Sequence, residues 1–130
     1  GRISKKIQIL CDALLLHPVV ELRKSKMVVA GLETGDFAHM AKSYVRRVFR
    51  DSRNIDRRIL FITYAGMEAE RLEYIQQLVQ QYCPFERVYV QKASSAIASN
   101  CGPGSFGLLF MKKNEAVISF SQASKLESQN

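Results

Sequence analysis

The segment that most constrains this fold runs from Arg58 to Gln91. Arg58-Ile59-Leu60-Phe61-Ile62-Thr63-Tyr64 is a nearly continuous apolar run, the pattern of a strand covered on both faces. Ala65-Gly66 then turns the chain. Leu72, Ile75, Val79 and Tyr82 recur at helical spacing, which predicts a helix from about Glu68 to Gln81, stopped by Pro84. Glu86-Arg87-Val88-Tyr89-Val90-Gln91 reads as a second strand. Strand, helix and strand at this spacing make a βαβ unit with parallel strands and a right-handed crossover. Ligands of such sheets gather beyond the carboxyl ends of the strands. The stretch leaving that end, Lys92 to Gly104, is therefore the first place to look for a site.

That stretch has an unusual composition. From Ser94 to Gly107, small residues, glycines and short polar side chains crowd together between two strand-like runs. Gly102, Gly104 and Gly107 permit positive φ or a close approach to the backbone. Pro103 stiffens the bend. Such a loop can cradle an anion with its backbone N–H groups, and a plain Gly-Pro-Gly turn between strands accounts for the same composition.

Upstream, Ile3, Ile7, Leu10, Cys11 and Leu14 mark one face of a helix ending near Leu16, ahead of Pro18. Arg2 would stand at its entrance, where a cation opposes the helix dipole. Val19–Arg23 and Met27–Leu32 form a predicted antiparallel hairpin. Asp36, or Thr34, can cap a helix whose buried face is Phe37, Met40, Ala41, Tyr44, Val45 and Val48. Arg46, Arg47 and Arg50 fall in its last turns, where cations complement exposed carbonyls. Beyond the loop, Ser105–Met111 is a strand, and Ala116–Phe120 returns as a hairpin partner. Ser121 to Asn130 is polar and reads as a mobile tail.

Asn100-Cys101-Gly102-Pro103-Gly104-Ser105-Phe106-Gly107 resembles the closing motif of the DegV family of bacterial fatty-acid-binding proteins, G-T-H-x-G-P-G-x-x-G. Gly1-Arg2-Ile3-Ser4-Lys5 resembles the G-R-I-S-K segment that opens the family's second domain. The resemblance spans residues 1–111. It leaves 112–120 as an additional strand and 121–130 as the tail. It implies a mixed α/β domain, and an N-terminal domain of comparable size that this chain lacks.

The resemblance also implies a function. A long-chain fatty acid would lie with its chain in an apolar tunnel and its carboxylate at an interdomain cleft. A separate kinase, dihydroxyacetone-kinase-like, would phosphorylate that carboxylate, the binding subunit itself being no enzyme and needing no cofactor. On this reading Arg2, Ser99, Asn100, Cys101, Gly102, Pro103 and Gly104 lie at the headgroup, Arg2 also contributing to the encounter with the kinase. The family's histidine falls at Asn100, which can donate and accept hydrogen bonds but carries no titratable charge.

Composition tests the alternatives. The balance of 19 basic against 12 acidic residues, a formal +7, attracts polyanions. No recognition helix, zinc finger or ribonucleoprotein motif accompanies it. Nucleic acid is therefore not the expected partner, and a basic module binding nucleic acid or acidic proteins stands as the alternative. Cys11, Cys83 and Cys101 form no CxxC pair, which points to a reducing compartment, and no apolar run reaches membrane-spanning length. A cytoplasmic location follows as the default. Cys101 with His17 or His39 is the one candidate nucleophile and base. His17 and His39 lack spaced partners for a metal, and Gly102-Pro103-Gly104 lacks the lysine of a phosphate-binding loop.

Overall fold

The computed structural model describes residues 16–24, 26–113 and 115–122. The helix expected before Leu16, and Arg2 with it, lies outside the described residues. The described chain forms β1 (Leu16–Arg23), β2 (Lys26–Thr34), α1 (Phe37–Val48), β3 (Ile55–Tyr64), α2 (Ala69–Tyr82), β4 (Arg87–Lys92), α3 (Ser95–Cys101), β5 (Phe106–Lys112) and β6 (Glu115–Ser121). The six strands make one mixed sheet in the order β2-β1-β6-β5-β3-β4.

β1 and β2 form the expected antiparallel hairpin, and β3 and β4 pair in parallel as a βαβ unit requires. β5 runs antiparallel to β3 and to β6. β6 is not an appendage: it sits between β5 and β1, pairing Val19 with Ser121 and Val20 with Phe120. Ser121 and Gln122, read from composition as the start of a polar tail, are buried, and the Gln122 N–H donates to the Pro18 carbonyl at 3.0 Å.

Local chemistry explains the helices. Asp36 caps α1, its carboxylate accepting from the His39 N–H at 3.0 Å. Phe37, Met40, Ala41, Tyr44 and Val45 turn to the sheet. α2 adds Ile75, Leu78 and Val79 to the same core, together with Leu60, Ile62, Phe106 and Leu108 from the strands. Each large apolar side chain buried there contributes about 1.5–3 kcal/mol. Aromatic rings tie the layer together: Phe106 meets Tyr44 edge-on at 5.2 Å, and Phe49 packs on Phe110 at 5.2 Å.

Neighbouring residues of β1 point to opposite sides, as a pleated strand demands. Val19 belongs to the helix-covered core, while Val20 joins Phe120 and Cys101 in a second, smaller cluster with Ile97, Met27 and Ile118. α3 therefore lies on the other face of the sheet from the main core.

Candidate ligand-binding site

The Ser94–Gly107 stretch is partly helical, where the composition reads as a loop or simple turn. Ser94 supplies the reason: its hydroxyl accepts from the Ile97 N–H at 3.3 Å and caps α3. Ile97 and Cys101, four residues apart, then face the sheet together. Gly102, at φ 83°, stops the helix, a conformation that side chains resist.

The bend spends its own donors. The Gly102 N–H donates to Ala98 O at 2.8 Å, the Gly104 N–H to Ala65 O at 2.6 Å and the Ser105 N–H to Gly102 O at 3.4 Å. The Ser105 hydroxyl donates to Gly102 O at 2.5 Å. The anion cradle expected from the glycines is thus corrected: the Gly102 amide closes α3, the Ser105 amide bonds within the bend, and the Gly104 amide ties the bend to Ala65 just beyond β3. Pro103 packs against Gly66, whose own φ of 52° makes the facing turn. The loop is a rigid ledge at the carboxyl end of β3.

Of the residues singled out from the sequence, Ser99 is exposed on α3, Asn100 is placed in its last turn, and Gly102 to Gly104 form the ledge. Cys101 is buried, in contact with Val20 and Phe120. Burial pushes its thiol pKa up, and a hydrogen bond with Gln122 offsets this in part. A raised pKa is the reverse of what a nucleophilic thiolate needs. His39 packs over Gly35, and His17 is buried with its ring nitrogens facing Gln122 O at 3.1 Å and Gly35 O at 2.6 Å. Among the described residues, no cluster of three or more histidines, cysteines or carboxylates is placed to hold a metal.

What the sequence reading missed is the apolar surface beside the ledge. Val20 and Phe120 are buried in a small cluster with Cys101, against which Met27, Ile97 and Ile118 pack, and Leu22 and Val29 lie exposed on the same face, Val29 at 59 % exposure. The alternation of Val19 with Val20 signals a two-faced strand but does not say which face meets a ligand. Thr63 accepts a hydrogen bond from the Gln91 amide at 3.3 Å on the same end of β3 and β4. A cavity of about 300 Å³ opens elsewhere, on the α1 side between Val19, Arg47, Phe110 and Lys112, and is no part of this site.

The family model of the uncharacterised DegV proteins matches residues 1–113. The chain belongs to the DegV family. Two solved structures of DegV proteins share its fold. One, from Thermus thermophilus and described for its fatty acid binding, is 23% identical with a TM-score of 0.60, over 95% of this chain and 40% of that one. The other, from Corynebacterium glutamicum, is 17% identical with a TM-score of 0.57, over 95% of this chain and 42% of that one. The chain thus spans about two fifths of each DegV relative. No curated protein matches it. Among the described residues, no helix of this DegV domain is long and apolar enough to cross a membrane.

Proposed function

We propose that this DegV domain forms one wall of a fatty-acid slot, with the acyl chain on the second face of the sheet and the carboxylate at the α3–Gly104 ledge. The observation that carries this reading is the exposed apolar pair Leu22 and Val29, on the same sheet face as the buried Val20–Phe120–Cys101 cluster beneath α3. An acyl chain gains about 0.8 kcal/mol per CH₂ removed from water, while its carboxylate still needs polar partners at the mouth. With the amides of Gly102, Gly104 and Ser105 already engaged, those partners are side chains: Asn100 and Ser99 from this domain, Arg2 from its first residues, and hydroxyls of the rest of the parent protein. The bound fatty acid is presented to a partner kinase, which performs the phosphoryl transfer. The fatty acid binding described for the Thermus thermophilus relative supports the ligand class.

Mass spectrometry of solvent extract from the intact parent protein tests it directly. A co-purified fatty acid is expected, and Val29→Asp, at an exposed position, should lower its occupancy severalfold. Empty wild-type protein, or unchanged occupancy in the variant, would overturn the placement. Asn100→His then tests the headgroup: kinase-dependent phosphorylation should rise if charge on the family histidine matters, and stay level if hydrogen bonding suffices.

A further inference from the structure

β4 is an outer strand: among the described residues it pairs with β3 alone. The two outer strands of the sheet are guarded differently. β2 carries a bulge opposite Val19 and Val20, a feature that turns an outer strand away from flat pairing. β4 keeps an unbroken register with β3, contains no proline and is charged only at its ends, Arg87 and Lys92. Between them Val88, Tyr89 and Val90 are apolar, with Tyr89 44% and Val90 38% exposed. An outer strand of this kind is a template for another strand.

The backbone fixes which groups it offers. The Ala93 N–H donates to Tyr64 O at 2.7 Å. In a parallel ladder, alternate residues turn both N–H and C=O towards the same neighbour. Gln91 and Tyr89 therefore face β3 as Ala93 does, while Val88, Val90 and Lys92 turn their backbone groups outwards. In that register the strand complements itself. Set antiparallel to its own copy about a two-fold axis through Tyr89, it places Val88 opposite Val90, Arg87 opposite Gln91, and Glu86, just before β4, opposite Lys92. Each Val88–Val90 couple then exchanges both of its N–H···O=C bonds.

The charges select the same arrangement. Glu86 and Lys92 are exposed and make no ion pair among the described residues. Arg58, the cation that senses Glu86, is itself locked to Asp56 at 2.7 Å. The antiparallel joint puts an opposite-charge pair at each of its ends, whereas an in-register parallel joint would set Glu86 against Glu86 and Lys92 against Lys92. We propose that β4 pairs antiparallel with β4 of a second copy of this chain, joining two sheets into one across a two-fold axis at Tyr89. The joint lies in the plane of the sheet and does not depend on lipid. Tyr89 and Phe61, stacked at 5.4 Å, stand on the sheet face assigned to the acyl chain, so pairing would continue that face into the second copy.

Sedimentation equilibrium of the intact parent protein tests it, at about 1 to 100 μM so as to bracket a micromolar Kd. A reversible monomer–dimer equilibrium is expected. Lys92→Glu should weaken it by about 2- to 30-fold, the range for two lost opposite-charge cross-strand pairs. Adding Glu86→Lys to that variant should restore the dimer, which separates loss of the pair from loss of the fold. Val90→Pro removes an N–H that β3 does not use, so it should weaken the dimer about tenfold or more and leave the melting midpoint of the monomer in place. A parent protein that stays monomeric, a dimer indifferent to Lys92→Glu and Val90→Pro, or a charge swap that restores nothing would overturn the proposal. So would protection of the Val88 and Val90 amides from hydrogen exchange in a strictly monomeric parent, since the remainder of that protein would then be covering the strand.

Discussion

The ring of Phe120 lies directly on the α-carbon of Gly107, across the β5–β6 pair. A methyl group at Gly107 would overlap the ring edge, and the Ser119 carbonyl crowds the same point at 2.6 Å. This close approach is the physical reason for the last glycine of the motif: a side chain there would lift Phe120 off the sheet. Gly107→Ala should therefore destabilise the domain by about 1–3 kcal/mol, the usual range for overpacking a core. Urea denaturation of the domain checks the value, and an unshifted midpoint would show that Phe120 moves aside freely.

Which parts of this arrangement could be read from residues alone follows from how local their causes are. α1 was legible because Asp36, Phe37, Met40 and Tyr44 carry cap and period within a few positions. The βαβ unit was legible for the same reason. α3 was not: Ser95-Ala96-Ile97-Ala98-Ser99 has too few apolar residues to show a period, and the following Gly-Pro-Gly suggests a loop. The central position of β6 is set by pairing with Val19 and Val20, about a hundred residues away, which no local pattern encodes. The ledge residues were found by motif. That the Gly104 amide is already bonded to Ala65 depends on two turns meeting in space.

Tyr44 buries a hydroxyl that donates to Ser119 Oγ at 2.8 Å. Burial drives its pKa well above the ordinary 10.0, the Ser119 hydrogen bond pulling partly the other way. Because the folded value is raised, this group's contribution is fully present below pH 10.0. It is lost as pH rises further, since the unfolded chain sheds the proton while the folded one keeps it. Stability should fall above about pH 10 by up to about 1.4 kcal/mol per pH unit from this residue. Tyr44→Phe should flatten that slope and cost about 0.5–1.5 kcal/mol at neutral pH for the lost hydrogen bond. Chemical denaturation at stepped pH measures both.

The surface pairs behave differently. Side-chain hydrogen bonding to Arg58 lowers the Asp56 pKa from 3.8 to about 2, and Arg53 does the same for Asp51. With folded values depressed, any stabilisation is present above the unfolded value of 3.8 and disappears as pH falls towards 2. Both carboxylates are solvated, so the effect on folding should be small and salt-sensitive. Carboxyl chemical shifts followed by NMR should place Asp56 near 2 at low ionic strength. The titration should move back towards 3.8 in Arg58→Gln.

Cys101 decides between a binding wall and a covalent catalyst. A nucleophilic cysteine needs an accessible, low-pKa thiol. Here the thiol sits against Val20 and Phe120 with its pKa raised by desolvation. Cys83 is buried too, and its pKa is raised for the same reason. Neither thiol should react with a disulfide reagent at neutral pH on the timescale of a free thiol, and both should react at once in denaturant. Cys101→Ala should cost a cavity's worth of stability, on the order of 1 kcal/mol, and leave fatty-acid occupancy of the parent protein within about twofold. Rapid, stoichiometric labelling of native Cys101 would instead mean that the thiol reaches solvent at the ledge, and the packed wall beneath α3 would have to be abandoned.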